Sequence, residues 1–185
     1  MLYALFSVLA AGLLGLDQWV KAWTVAHFTD PAPYVTRDPP IPLLPGVLEL
    51  TRVHNYGAAW SSFSGYRWFL VALTGVIVLA VAWVLAKKLV RHPLGLAAGF
   101  LILAGGLGNL LDRVRLGYVV DMLHFPFWPS YPTFNVADCC VVCGCVLGAA
   151  YYLWFYDKYD KPGRRPGSEQ DGGAAGGDHQ TDSTP

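Results

Sequence analysis

Four long apolar stretches divide the chain, and segments of very different character separate them. They cover about residues 2–25, 67–86, 94–111 and 136–156. Each is long enough to cross the hydrocarbon core of a bilayer, which takes about 20 helical residues. The third is also rich in glycine and alanine, which lets helices in a bilayer approach closely. The pattern predicts four membrane-spanning helices that pack against one another.

Two opposite charges, Asp17 and Lys21, interrupt the first apolar stretch. They are four residues apart, so on a helix they share one face and can pair. They also argue against a cleaved signal peptide, because they break its apolar core and no basic segment precedes them. Two interpretations of the pair stay open: mutual neutralisation near the membrane surface, or support of a functional site.

The segment 27–63 is built from different residues. Six prolines between positions 31 and 45 exclude a long helix there. Residues 47–54 then alternate well enough to predict one or more short strands. The segment ends in the small-residue turn 55–60, which carries an asparagine and a tryptophan. We therefore predict a loop with some sheet at the membrane interface.

Basic residues cluster at two places beside the apolar stretches. Three lie between the second and third stretches and four follow the last one: Lys87, Lys88, Arg91, Lys158, Lys161, Arg164 and Arg165. By the positive-inside rule both clusters, and with them both termini, face the cytoplasm. The loops at about 27–63 and 113–133 then lie on the extracytoplasmic side. The second loop carries the prolines and aromatic residues expected at headgroup level.

The composition agrees with a membrane protein. Of the 185 residues, 54% are hydrophobic and 14% are charged, against about a quarter charged in soluble domains. The 13 basic and 13 acidic residues balance, so charge indicates no nucleic-acid partner. The Gly- and Ser-rich end cannot bury a core. We predict an integral-membrane domain of residues 1–157 and a disordered cytoplasmic tail of residues 158–185.

Four cysteines crowd the fourth apolar stretch: Cys139, Cys140, Cys143 and Cys145. Such a cluster suggests zinc or disulfides. On one helix, however, the first and third share a face while the other two diverge, and no second ligand cluster exists elsewhere. Buried cysteine commonly behaves as a small hydrophobe. Packing is therefore the favoured role, and neither a metal nor another cofactor is predicted.

The remaining candidates for chemistry are acidic. Asp121 lies between the third and fourth apolar stretches and Asp138 lies at the start of the fourth, and a carboxylate at such a place is a functional-site hypothesis by default. Two carboxylates in one site hold a single proton, so that one can activate water while the other polarises a carbonyl. Spacing alone leaves alternatives open, because Asp121 could equally cap a helix or pair with Arg113 or Arg115.

Five short motifs occur in order along the chain. They are Asp17-Gln18-x-x-Lys21, Asn55-x-Gly57-Ala58-Ala59-Trp60, Gly105-Gly106-Leu107-Gly108-Asn109-Leu110-x-Asp112-Arg113, Gly117-x-Val119-x-Asp121 and Phe134-Asn135-x-Ala137-Asp138. Each is weak alone, but five in order on a four-span chain are specific. They resemble the lipoprotein signal peptidases, the type II signal peptidases of bacteria, over essentially residues 1–156.

The resemblance implies a membrane all-α fold: a four-transmembrane-helix bundle with a small extracytoplasmic β-rich domain between spans 1 and 2. It also implies an aspartyl endopeptidase of the bacterial inner membrane, with its active site at the extracytoplasmic face. Its partners would be membrane lipids and prolipoproteins whose lipobox cysteine already carries diacylglycerol, cut just before that cysteine. The enzyme would be monomeric and would need no cofactor.

The resemblance also implies roles for individual residues. Asp121 and Asp138 would be the catalytic pair. The substrate-binding or site-supporting residues would be Asn55, Gly57, Asn109, Arg113, Asn135, Asp17, Lys21 and Asp112. Arg113 could either hold the substrate backbone or pair with Asp112, and the sequence leaves this open. Met122 departs from the pattern, which has an aromatic residue after the catalytic aspartate.

Two other classes of protein compete with a protease. A proton-coupled transporter would use the aspartates as protonation sites, but it predicts a mid-span acidic residue and internal repeats, which this sequence does not show. In a non-catalytic membrane scaffold, the aspartates would only cap helices or balance arginines. Changing either aspartate to asparagine would then leave function intact.

Overall fold

The structure, a computed structural model, describes residues 1–31 and 37–160. Four long helices account for most of these residues: α1 (Leu2–His27), α2 (Arg67–Ala86), α3 (Pro93–Arg115) and α4 (Val136–Trp154). Each is long and apolar enough to cross a membrane. The four helices predicted from the apolar stretches are thus confirmed, with ends that differ by up to four residues.

Helix α3 lies at the centre of the bundle and packs against each of the other long helices. Small residues allow this close approach. Gly105 and Gly108 are buried on α3. A methyl group added at Gly105 would fall on the carbonyl oxygen of Ala137, in the first turn of α4. The glycines therefore set the spacing between α3 and the start of α4, as the packing interpretation predicted.

Substitution of Gly105 by alanine is expected to destabilise the fold by about 1–3 kcal/mol, because the neighbouring backbone of α4 cannot yield without cost. The matched control is Gly75→Ala on α2, where an added methyl group meets nothing within 4 Å. That substitution should be neutral or stabilising by up to about 1 kcal/mol, from helix propensity. Thermal unfolding of the two variants in the same detergent checks the difference. Equal melting temperatures would contradict the packing argument.

A small antiparallel sheet lies beside the helices, with strand order β1 (Ile41–Leu44), β2 (Leu48–Asn55) and β3 (Val119–His124). The first two strands come from the segment in which sheet was predicted. The third comes from the segment between α3 and α4, so the prediction of a β-rich domain between spans 1 and 2 was wrong for this strand. In the pairing of β2 with β3, Val53 lies opposite Asp121. Strand β3 therefore takes its hydrogen-bond partners from a strand far away in sequence.

One face of the sheet packs against the end of α1. Phe28, Leu50, Val120 and Met122 form a buried apolar cluster there. Met122 is completely buried, so the residue that departs from the family pattern is a core residue of this cluster. The cluster joins the first helix to the two longest strands.

Two predicted boundaries differ from the structure. Helix α3 continues to Arg115, so Arg113 is helical and does not begin a loop; the helix ends before Gly117, whose φ is +91°. The predicted tail begins inside a short fifth helix, α5 (Tyr156–Tyr159), and Asp160 accepts hydrogen bonds from the Tyr151 hydroxyl and the Arg91 backbone. The rest of that predicted tail lies outside the described residues.

Candidate active site

The first turn of α4 holds Asp138 through a capping box. The Asn135 side chain accepts a hydrogen bond from the Asp138 backbone N–H at 2.9 Å, and the Asp138 carboxylate accepts one from the Asn135 N–H at 3.1 Å. This reciprocal pairing satisfies two backbone donors at the start of the helix. The other carboxylate oxygen of Asp138 accepts from Asn109 Nδ2 at 2.7 Å. One oxygen of the Asp138 carboxylate is therefore held by the backbone at the start of α4, and the other by the side chain of Asn109.

Asp121 lies within β3 and is only 1% exposed. Its carboxylate accepts hydrogen bonds from Asn55 Nδ2 at 3.0 Å and from Asn135 Nδ2 at 2.6 Å. Among the described residues it forms neither of the ion pairs that the sequence left open, with Arg113 or Arg115, and it lies on a strand where it caps no helix. Both amides that bind it are neutral.

Asn135 connects the two carboxylates. Its Nδ2 donates to Asp121 and, at 3.1 Å, to Asn109 Oδ1, while its Oδ1 and backbone N–H both bind Asp138. The carboxyl groups also line one cavity of about 430 Å³, together with Asn55, Asn109 and Arg113. The sequence-predicted pair is therefore brought to one place.

Burial raises the pKa of Asp121 from its ordinary value of 3.8 to about 8. The neighbouring charge of Asp138 acts in the same direction, while the amides of Asn55 and Asn135 act against it. Desolvation and a like charge both disfavour the ionised form of a carboxyl group. The protonated form of Asp121 is therefore favoured to a pH well above its ordinary pKa.

A buried lysine supports the site from α1. Lys21 Nζ lies 2.8 Å from Asp17 Oδ2 and 3.0 Å from Asp112 Oδ2. It also donates a hydrogen bond to Asn109 Oδ1 at 3.1 Å. Because the Asn109 oxygen is bound in this way, its amide nitrogen is directed towards Asp138. The pair on α1 therefore does more than neutralise itself at the membrane surface.

The two aspartates of this cluster are bound in turn to the elements that carry the carboxylate pair. Asp17 Oδ1 accepts from the Ala137 N–H, at the start of α4, at 2.9 Å. Asp112 Oδ2 accepts from the Val120 N–H, on β3, at 3.2 Å. Asp112 does not line the cavity of the carboxylate pair. Its contacts fit the structural role that the resemblance implied.

Arg113 does not pair with Asp112, which was one of the two roles that the sequence left open; binding of the substrate backbone stays a prediction. Its Nη2 donates to the Gly57 carbonyl at 2.7 Å, and its Nη1 donates to the Asn109 carbonyl at 3.4 Å. The Gly57 N–H in turn donates to Asn55 Oδ1 at 2.9 Å, which orients the Asn55 amide towards Asp121. A methyl group at Gly57 would collide with the carbonyl oxygens of the following turn, so the tight turn requires glycine.

The cysteines add no ligand cluster to this site. In the part of the chain that the structure describes, no three His, Cys, Asp or Glu side chains lie close enough to hold a metal ion. Cys140 is buried, whereas Cys139, Cys143 and Cys145 are exposed on the apolar surface of α4. The packing role predicted for the cluster therefore fits Cys140 alone.

Comparison with known proteins identifies the family. The family model described as signal peptidase (SPase) II matches residues 9–154. The chain belongs to the signal peptidase II family. It is 37% identical to the lipoprotein signal peptidase of Enterococcus faecalis, over 88% of this chain and 96% of that protein. It is 42% identical to the lipoprotein signal peptidase of Acinetobacter baumannii, over 71% of this chain and 73% of that protein.

A solved structure also resembles this member of the signal peptidase II family. A bacterial membrane enzyme determined by the in meso method superposes with a TM-score of 0.69 at 28% identity, over 86% of this chain and 93% of that one. The chain is therefore a membrane protease of this family with four candidate spans.

Sequence reasoning missed some contributors to the candidate site. Gln18 Nε2 donates to Asp112 Oδ1 at 3.0 Å and to the Gly108 carbonyl at 3.3 Å, which links α1 to α3. Trp60 and Tyr131 line the cavity and contact each other edge to face, with centroids 6.2 Å apart. Gln18 and Trp60 both stand inside the quoted motifs, so their motif positions were the available signal.

Proposed function

We propose that this signal peptidase II family member is an aspartyl endopeptidase in which Asp121 and Asp138 are the catalytic residues. The family assigns removal of signal peptides from prolipoproteins; the proposal adds the catalytic pair and cleavage just before a diacylglyceryl-modified cysteine. The observation that supports it most is that Asn135 donates hydrogen bonds to both carboxylates, through its side-chain amide to Asp121 and its backbone N–H to Asp138, and that both carboxylates line one cavity.

The chemistry divides between the two carboxyl groups. Asp138 lies at the amino end of α4, where the helix dipole and the Asn109 amide stabilise a carboxylate. We assign it the base that takes a proton from water as the water oxygen attacks the scissile carbonyl carbon. Protonated Asp121 donates its proton to the carbonyl oxygen. When the tetrahedral intermediate collapses, Asp138 protonates the leaving amine and Asp121 recovers its proton.

The cavity offers groups that match an extended peptide. The buried carbonyl and N–H groups of such a substrate need partners in an apolar cleft. Polar atoms of Asn109 and Arg113 line the cavity beside the apolar side chains of Val141 and Val142 on α4. We propose that these polar residues bind the substrate backbone, and that the apolar wall faces its lipid-modified cysteine.

The proposed placement in the membrane follows from the charge pattern. Lys87, Lys88 and Arg91 follow α2, and the positive-inside rule assigns this end of the bundle to the cytoplasm. Both termini then face the cytoplasm of a bacterial cell, and the carboxylate pair lies at the extracytoplasmic face of the inner membrane. We further propose that the enzyme is a monomer and that its substrate enters the site laterally from the bilayer.

The direct test is cleavage of a purified diacylglyceryl-modified prolipoprotein, compared with the same precursor carrying an unmodified cysteine. The expected result is cleavage of the lipidated precursor before its cysteine, unchanged by a chelator, and no cleavage of the unmodified one. Mass spectrometry of the two products locates the cut. Equal cleavage of both precursors would contradict the proposed substrate class, and a rate abolished by the chelator would contradict the two-carboxylate mechanism.

The rate of cleavage is expected to fall as the pH rises through about 8. The proton that Asp121 must donate is present below its raised pKa of about 8 and is lost above it. Stability is expected to change with pH in the same direction. Because the pKa of Asp121 in the folded protein is higher than its ordinary value of 3.8, its contribution to the free energy of unfolding is fully present below about pH 3.8 and is lost as the pH rises through about 8. Measuring kcat/KM and the melting temperature from about pH 5 to about pH 10 checks both. A rate that keeps rising above pH 8 would contradict the assignment of Asp121 as the acid.

A further inference from the structure

Arg52 caps the end of α1 from a neighbouring strand. It lies on β2, three residues before Asn55, and is only 7% exposed. Its Nη1 donates hydrogen bonds to the Phe28 carbonyl at 2.9 Å and to the Val25 carbonyl at 3.3 Å. Carbonyl groups at the carboxyl end of a helix lack intrahelical donors and carry partial negative charge. A cation from the sheet therefore satisfies the last turn of the first helix.

The second guanidinium nitrogen of Arg52 extends the link towards β3. Nη2 donates to Asp30 Oδ1 at 2.7 Å and lies 3.2 Å from His54 Nε2. Burial, and then the charge of Arg52, lower the pKa of His54, so the ring is neutral and its Nε2 accepts the hydrogen bond. The His54 ring stacks on Tyr118, with centroids 3.8 Å apart, just before β3 begins. Arg52 thus joins α1, β2 and the approach to β3.

The elements that Arg52 joins support different halves of the carboxylate pair. Helix α1 carries Lys21, which holds Asn109 against Asp138. Strand β2 carries Asn55, which donates to Asp121. The geometry of the pair therefore depends on the placement of β2 relative to α1, and a shift of about 1 Å at a site of this kind can cost about a hundredfold in rate.

We propose that Arg52 is a positioning residue: by tying β2 to the end of α1, it keeps the Asn55 amide hydrogen-bonded to Asp121. The inference rests on the proposed function, in which Asp121 is catalytic. Arg52 does not line the cavity of the carboxylate pair and acts through Asn55. Its substitution should change the chemical step more than substrate binding.

The ion pair with Asp30 does not by itself account for an arginine at this position. The side chain of Asp30 is 76% exposed, so its ion pair with Arg52 contributes little. Within residues 1–31 and 37–160, Arg52 Nε is buried without a hydrogen-bond partner, which is a cost. Methionine keeps the apolar part of the arginine side chain. Asp30, which loses its ion pair in this variant, can face water instead. Arg52→Met also loses the hydrogen bonds to the Phe28 and Val25 carbonyls, so it is expected to fold with somewhat lower stability.

The experiment is a double-mutant cycle on cleavage of a diacylglyceryl-modified prolipoprotein, with Arg52→Met, Asn55→Ala and the double variant. Arg52→Met is expected to lower kcat about tenfold or more while KM changes less than about threefold. The double variant should be no slower than Asn55→Ala within about twofold, because Arg52 acts through Asn55. Arg52→Lys should recover part of the rate. Arg37→Met, at an exposed arginine before β1, should match the wild type.

Each other outcome has a definite meaning. Multiplicative losses in the double variant, or a change in KM with kcat intact, would overturn the positioning role while leaving the proposed function standing. If Arg52→Met does not fold, the same cycle with Arg52→Lys decides between positioning and a purely structural role. Failure of the wild type to cleave any lipidated precursor would overturn the proposed function, and this inference with it.

Discussion

Asparagine in place of Asp121 or Asp138 should reduce cleavage of a lipidated prolipoprotein by at least about 10²–10⁴-fold, the share that a positioned acid or base supplies. The change is nearly isosteric and removes only the group that exchanges protons. In Asp138→Asn the capping oxygen can remain, so the start of α4 should keep its capping box. Loss of activity in a folded protein is therefore the expected signature of both variants.

Asp112→Asn is the discriminating comparison. Asp112 is also buried, at 4% exposure, and stands beside an arginine in the longest motif. It binds Lys21 and the Val120 N–H, however, and does not line the cavity. This variant should retain measurable cleavage with lower stability. If Asp121→Asn cleaves at the wild-type rate while Asp112→Asn is inactive, the pair has been assigned to the wrong residues.

Lys21→Met is expected to destabilise the fold more than Gly105→Ala or any of the aspartate substitutions. Lys21 is 3% exposed and lies within 3.0 Å of carboxylate oxygens of both Asp17 and Asp112. Its removal leaves two buried carboxylates without their cation, and breaking a buried pair in this way costs about 3–5 kcal/mol. For a chain of this size that corresponds to a fall in melting temperature of about 6–20 °C.

The control for Lys21→Met is Lys87→Met, at an exposed lysine just after α2. Thermal unfolding of both variants, followed by tryptophan fluorescence in one detergent, makes the comparison. Adding Asp112→Asn to Lys21→Met should restore part of the lost stability, because one of the two unpaired charges is then removed. A melting temperature for Lys21→Met equal to that of the control would show that the cluster does not hold α1 against α3.

Much of the architecture could be predicted from local sequence. A run of about 20 consecutive apolar residues is stable in a bilayer as a helix, because a helix satisfies its own backbone hydrogen bonds. The four stretches accordingly became α1 to α4. A strand was predicted within 47–54 for the same reason, because alternation is a local pattern, and the structure has it at Leu48–Asn55.

Strand β3 could not be predicted in this way. Residues 119–124 carry Asp121 among apolar neighbours, and the surrounding loop contains several aromatic residues and prolines. They form a strand because β2 supplies backbone partners from more than sixty positions away, as in the pairing of Asn55 with Val119. Such pairing depends on how the helices bring the two segments together, which no local pattern expresses.

The candidate site shows the same division. Its residues stand in motifs that the sequence displays, so the residues from Asp17 to Asp138 could be named in advance, and their roles stay predictions. Which atoms meet could not be foreseen. From the sequence, Arg113 could hold the substrate backbone or pair with Asp112, and nothing indicated that its guanidinium binds the Gly57 carbonyl at 2.7 Å.

The sequence by itself determined the number of apolar helices, the motifs that mark the family and the acidic residues available for chemistry, because each depends only on residue type and spacing along the chain. The tertiary structure alone decided that Asn135 donates to the Asp121 carboxylate, that Lys21 reaches Asn109, and that β3 completes the sheet. Those contacts join segments far apart in sequence. They require the close approach of α1 and α4 to α3 that the glycines of α3 allow.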